Sequence, residues 1–127
     1  MWSTYFAIAI GGIIGCCVRY GITGPIQAIF GKSFPVATLF INVLGSFLMG
    51  FLFIFTLERM SIPPALRAGI LVGGLGGFTT FSTFSMEILQ LVEAGEMLKA
   101  GMYIALSVIL GVLAAFLGVY WARSLWQ

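Results

Sequence analysis

The sequence predicts an all-α membrane protein in which four transmembrane helices cross the bilayer, the third broken mid-membrane, and in which two copies pair antiparallel. Three observations carry the helical membrane architecture, and the charge balance below bears on the pairing. Of 127 residues, 61% are hydrophobic and 8% charged, against roughly 25% charged in an ordinary soluble domain; a globule this small has too little interior to hide so much apolar surface. The apolar residues fall into four stretches, each at or above the roughly 20 residues that span a hydrocarbon core. One stretch is interrupted near its centre by glycines and hydroxyl side chains.

The first span is expected over about 2–22, followed by a connector over 23–34 that holds Gly24-Pro25, Gly31 and Lys32, all breaker or turn residues. The second, about 36–57, carries no charge and ends at Glu58-Arg59. Pro63-Pro64 suits a helix start, so the third runs over about 65–92, with its break expected near 74–80. Glu93-Ala94-Gly95-Glu96 makes a polar turn, and the fourth span covers about 99–126. Trp2, Tyr5, Tyr20, Tyr120, Trp121 and Trp126 fall near these predicted ends, where amphipathic rings sit at headgroup level. Residues 1–127 thus form one integral membrane domain.

Composition also excludes functions. A net charge of +2 from six Lys and Arg is no patch for nucleic acid. There is no histidine, and the two cysteines, Cys16 and Cys17, are adjacent, which argues against the usual metalloenzymes and against a disulfide framework. No nucleophile–base pair is visible, so no enzyme is expected. Ile13-Ile14-Gly15-Cys16 looks like a lipoprotein cleavage box, but no Lys or Arg precedes it, and the cysteines read as small residues within the first span. Arg59, Arg67 and Arg123 lie on the side of the termini; Lys32 and Lys99, with Arg19 if it lies toward that end, lie on the other. Lys/Arg bias sets orientation, and a near-tie reads either as copies inserted both ways up or as one orientation set by weak signals.

Ala7, Gly11 and Gly15 repeat every four residues, as do Gly69, Gly73 and Gly77. Such stripes let helix backbones approach closely in lipid. Within 73–77 four glycines each weaken a helix by about 1 kcal/mol relative to Ala, and five hydroxyl side chains follow in 79–85. Unwound backbone at membrane depth is tolerated only where protein buries it or a cavity wets it. Broken helices at the midplane mark ion sites, because freed carbonyls bind cations and helix N-termini attract anions. Asn42, Gly45, Ser46 and Met49 share one helix face. The Asn42 amide reads equally as an interhelical hydrogen bond or as a donor to an anion. Phe81 and Phe84, three apart, suit either lipid-facing or core packing, or a narrow pore lined by electropositive ring edges. Tyr103 and Ser107, one turn apart, would add a polar stripe. Arg19 and Glu87 are charges within or near the hydrocarbon. Such residues pair, line a water path or snorkel to the interface.

The sequence resembles, over nearly its whole length, the Fluc/CrcB fluoride channels, small bacterial proteins with four transmembrane helices. The matching residues are Gly11-Gly12, Gly15 and Arg19; Thr38-Leu39, Asn42 and Gly45-Ser46-Phe47; and, most specifically, the run Gly76-Gly77-Phe78-Thr79-Thr80-Phe81-Ser82-Thr83-Phe84-Ser85. The resemblance implies a fluoride-selective channel in the bacterial inner membrane. It would export cytoplasmic fluoride passively, confer fluoride resistance, and work as a dual-topology homodimer with two antiparallel pores along the subunit interface. It also implies residue roles. Asn42 would donate to fluoride, Phe81 and Phe84 would supply ring edges, and Thr38, Ser82 and Thr83 would place hydroxyls near the pore. Tyr103 and Ser107 would continue a polar track, Arg19 would be a vestibule cation, and Glu87 is a candidate for gating or pairing. Backbone carbonyls of Gly76 and Thr79 from both subunits would hold one structural Na⁺, a hard cation suited to oxygen ligands. The chain departs from the pattern at Ala37, where glycine is common, and at Gly111, where relatives can carry a hydroxyl. Two rival readings remain. A proton-coupled drug exporter needs an embedded carboxylate, for which Glu87 is the inward candidate. A non-transporting scaffold leaves the hydroxyl run unexplained.

Overall fold

The computed structural model describes residues 1–125; Trp126, expected at the end of the fourth span, lies outside them. Helix α1 covers Trp2–Phe30, eight residues beyond the expected end of the first span. Gly24-Pro25 does not stop it. Proline removes one hydrogen bond and crowds the carbonyl four residues back, which here belongs to Gly21, a residue with no side chain to add to the crowding. In lipid, breaking the helix outright would strand several polar groups rather than one. The helix ends instead at Gly31, whose N–H makes a last helical bond to the Gln27 carbonyl at 2.8 Å and whose φ of 78° then turns the chain away.

Helix α2 covers Val36–Ile54 and widens into π-helical turns over Phe55–Arg59. Arg67 finishes this end: Nε donates to Thr56 Oγ1 at 2.9 Å and Nη2 to the Phe53 carbonyl at 3.1 Å, with the guanidinium 4.6 Å from the Phe53 ring centre. Helix α3, residues 64–78, begins on Pro64, is π-helical over Gly69–Leu75, and closes with Gly76–Phe78. Helix α4 is Phe81–Glu93. A turn through Gly95, at φ 77°, leads to α5, Met97–Ser124. No strand occurs among the described residues. Trp2–Phe30, Val36–Arg59 and Met97–Ser124 are each long and apolar enough to cross a membrane.

The break in the third stretch is narrower and later than its glycines suggest. Gly73, Gly74, Gly76 and Gly77 are all helical, and only Thr79 and Thr80 leave the helix. The reason lies in packing. A Cβ on Gly11 would collide with the Gly69 carbonyl, one on Gly15 with the Gly74 carbonyl, and one on Gly73 with the Ile8 carbonyl. The two small-residue stripes are therefore the two halves of one contact, backbone on backbone. That contact offsets the poor helix propensity of glycine.

These partners rise together in number, so α1 and α3 run parallel. The same holds for α2 and α5: a Cβ on Gly50 would strike the Ala115 carbonyl, and one on Gly118 the Phe47 carbonyl. At one membrane face Arg123 Nη2 reaches Glu58 Oε1 at 3.3 Å, tying α5 to the end of α2. The bundle is thus two tightly packed parallel pairs laid side by side.

The space around individual glycines gives a discriminating expectation. A Cβ on Gly12 meets nothing within 4 Å, whereas one on Gly15 meets backbone. Gly12→Ala should hold or raise the midpoint of thermal unfolding in detergent, adding about 1 kcal/mol of helix propensity. Gly15→Ala should lower it by the about 1–3 kcal/mol of an overpacked contact.

Candidate functional site

The site is built around the two residues that are not helical. Thr79 and Thr80 take extended backbone (φ −83°, ψ 158° and φ −152°, ψ 121°). In an unbroken helix the Thr80 N–H would bond the Gly76 carbonyl. Here it donates to Asn42 Oδ1 at 2.8 Å, while Asn42 Nδ2 donates to the Thr80 carbonyl at 2.9 Å. One amide side chain on α2 therefore bonds both backbone polar groups of one half-buried residue. The pairing also fixes which way the amide faces, since an N–H can meet only the oxygen and a carbonyl only the nitrogen.

Downstream, Thr80 caps α4. Its hydroxyl accepts from the Thr83 N–H at 3.3 Å and donates to Thr83 Oγ1 at 3.1 Å, with Ser82 Oγ 3.4 Å away. This is the ordinary N-cap arrangement, and it diverts the N–H that would otherwise bond the Thr79 carbonyl. The carbonyls of Gly76 and Thr79 are both released from their helical partners by the same two substitutions of bonding. Upstream, the Thr79 N–H and hydroxyl both return to the Leu75 carbonyl at 3.0 Å. Arg19 Nε donates to the Gly77 carbonyl at 3.2 Å. A cation at a helix C-terminus is favourably placed.

Beside the break lies an open cavity of about 310 Å³ lined by Asn42, Gly45, Ser46, Met49, Thr79, Thr80, Phe81 and Ala115. The α2 face read from its spacing is one wall of this cavity. Gly45 is what lets the break come so near: a Cβ there would collide with the Thr79 methyl and sit 3.3 Å from the Phe78 ring. The lining side chains carry no formal charge.

The two phenylalanines are neighbours, with ring centres 5.6 Å apart at 54°, but their surroundings differ. Phe81 is 78% exposed on this chain and borders the cavity, whereas Phe84 is 8% exposed. Phe84 meets the Tyr103 ring at 5.0 Å and 71°, an edge-to-face contact. Ser82 is exposed, Thr83 half-buried and Thr38 buried. Tyr103 is fully buried, and its hydroxyl donates to Glu87 Oε1 at 2.9 Å, with the Thr38 hydroxyl against both groups. Ser107 Oγ is buried with no hydrogen-bond partner among the described residues.

Arg19 and Glu87 do not pair with each other, because each is engaged elsewhere in the fold. Since α1 runs on to Phe30, Arg19 and Tyr20 also sit well inside their helix rather than at its end. Glu87 borders a second cavity, of about 430 Å³, at the loop end of the bundle, together with Lys32, Phe34, Glu96 and Lys99. Gly76 is exposed and Thr79 half-buried on this chain. Sequence reasoning overlooked Thr80, the residue on which the break turns. Its signal was present, as a threonine directly before a helical run is an N-cap.

The architecture is that of a multi-pass helical membrane protein with a discontinuous helix at its centre. Residues 6–119 match the family model described as CrcB-like protein, Camphor Resistance (CrcB). The chain is 54% identical over 124 residues to the fluoride-specific ion channel FluC of Acidithiobacillus ferrooxidans, covering 98% of this chain and 99% of that one. It is 48% identical over 120 residues to FluC of Methylococcus capsulatus, covering 94% of this chain and 53% of the relative. FluC of Aquifex aeolicus is 42% identical over 120 residues, with 94% and 97% covered. This protein belongs to the CrcB family.

Removing the Asn42 side chain strands the Thr80 N–H, while the Thr80 carbonyl, as N-cap, keeps the first bond of α4. Asn42→Ala should therefore cost about 1–3 kcal/mol for the stranded donor, read as a lowered unfolding midpoint in detergent. Asn42→Asp keeps only the acceptor and should not restore wild-type stability.

Proposed function

We propose that this protein is a fluoride-selective channel through which cytoplasmic fluoride leaves passively, conferring fluoride resistance. The observation that carries the reading is the uncharged, donor-lined cavity at an amide-stitched helix break, in a chain similar along its length to proteins named fluoride-specific ion channels. HF crosses lipid uncharged and dissociates inside at neutral pH, so a passive path for the ion suffices to lower its concentration.

Asn42 has two amide hydrogens and uses one on Thr80, leaving the second for the cavity it borders. The α4 N-terminus adds the positive end of its dipole, and Phe81 brings an electropositive ring edge. Such donors replace water around a small anion without the deep well of a fixed cation. They reject a larger halide by spacing. Thr38, Thr83, Tyr103 and Ser107 continue the polar lining toward Glu87, for which we propose a gating role. Arg19 holds the end of α3 and lends positive charge to the approach.

The α3 and α4 arms together supply roughly 42 Å of helix at about 1.5 Å per residue, more than the hydrocarbon thickness of about 30 Å. We take them as the fourth crossing. Phe81, Ser82 and Gly76 face outward on a single chain, which supports an antiparallel, dual-topology homodimer in the bacterial inner membrane with a pore on each side of the interface. The carbonyls of Gly76 and Thr79, freed by the break, fit a structural Na⁺ shared by the two copies. Neutral oxygen ligands suit such an ion, whose charge would favour anions nearby.

Purified protein in liposomes should release fluoride rapidly and chloride far more slowly. Robust chloride passage, or flux of neither ion, would refute the assignment. Phe81→Ile and Phe84→Ile should each slow fluoride efflux about tenfold, a barrier increase of about 1.4 kcal/mol, with the dimer intact by light scattering. A sodium gradient alone should drive no uphill fluoride movement.

A further inference from the structure

The polar lining of α5 has a gap, and α2 stands opposite it. Along the α2–α5 pair, contacts recur between residues 65 positions apart: Thr38 with Tyr103, Ser46 with Gly111, and Gly50 with Ala115. The same register places Ser107 level with Asn42. Ser107 Oγ is buried and has no partner, so a donor is left without an acceptor at the depth of the Asn42 amide. One turn further along, Gly111 supplies no side chain at all. The group nearest the position of its missing Cβ is Ser46 Oγ, at 3.7 Å, ordinary van der Waals contact. Ser46 also forms part of the wall of the Asn42 cavity.

We propose that Ser46 supplies from α2 the hydroxyl that α5 lacks at Gly111, making it a conduction-determining contact one turn along from Ser107. This rests on the fluoride-channel reading. A serine hydroxyl suits the task because its O–H rotates to follow a moving acceptor and carries no net charge. The space at Gly111 admits a side chain, so the same hydroxyl can be moved from one helix to the other.

The test measures fluoride and chloride efflux from liposomes holding wild-type protein, S46A, G111S, S46A/G111S and S46A/G111A. The expected result is a fluoride rate reduced about tenfold in S46A and returned to within about threefold of wild type in S46A/G111S, with G111S itself conducting normally. Two results would overturn the proposal: an S46A rate equal to wild type, or an S46A/G111S rate as slow as S46A. S46A/G111A, which restores volume at the same spot without a hydroxyl, separates a transferable hydroxyl from mere packing and should stay as slow as S46A. Should S46A not purify in folded form, G111S decides, since a blocked channel there means the gap cannot hold a hydroxyl on the route. Wild-type protein that passes no fluoride would refute the channel reading itself, a different result from an unaltered S46A rate.

Discussion

Inside hydrocarbon, a peptide group with no hydrogen-bond partner is among the costliest things a chain can contain. The two bonds between Asn42 and Thr80 answer that constraint at the one place where this fold breaks a helix. Much else is arranged around them. Asn42 must lie at the depth of the break, Gly45 must be bare so that Thr79 can approach, and α2 must be held at fixed height. The packing of Gly50 against Ala115 and of Gly118 against Phe47 fixes that height. With Thr80 satisfied from the side, the carbonyls of Gly76 and Thr79 are freed rather than merely lost.

The bundle divides its labour between two parallel pairs. Lipid tails are as apolar as leucine, so close backbone contact replaces water-driven burial as the source of cohesion. The α1–α3 pair uses glycine on both faces and holds the upstream arm of the broken span. The α2–α5 pair carries the amide, the hydroxyls and the Glu87 partner Tyr103. Arg67 and Arg123 work at one membrane face, where carbonyls loosened by wide turns and a carboxylate need cations.

The membrane class, the polar face of α2 and both glycine stripes were legible because each rests on composition or on a 3.6-residue period. Which stripe meets which was not, since the pairing is a tertiary fact. The break was drawn wider than it is because propensity alone counts glycine as helix-weakening, while contact with Ile8 and the Gly11–Gly15 face keeps 73–77 helical. The end of α1 was misread for a related reason: Gly24-Pro25 is a turn signal in water, and the penalty for heeding it is larger in lipid. The same misreading set Arg19 near the end of its span, whereas it lies well inside α1 and donates to the Gly77 carbonyl. Gly76 and Thr79 came only from family resemblance; their physical distinction, carbonyls deprived of partners, depends on where Asn42 and Thr80 direct their bonds.

The unbroken run of α1 through Pro25 has a mechanical corollary. Its 29 residues amount to about 44 Å of rod, well beyond the hydrocarbon thickness of about 30 Å. Such an oversized segment leans, protrudes, or does both. Its inclination is then set jointly by its neighbours and by acyl-chain length. Longer lipids would stand α1 more upright, and α3, joined to it backbone to backbone, would turn with it toward the hinge at Thr79.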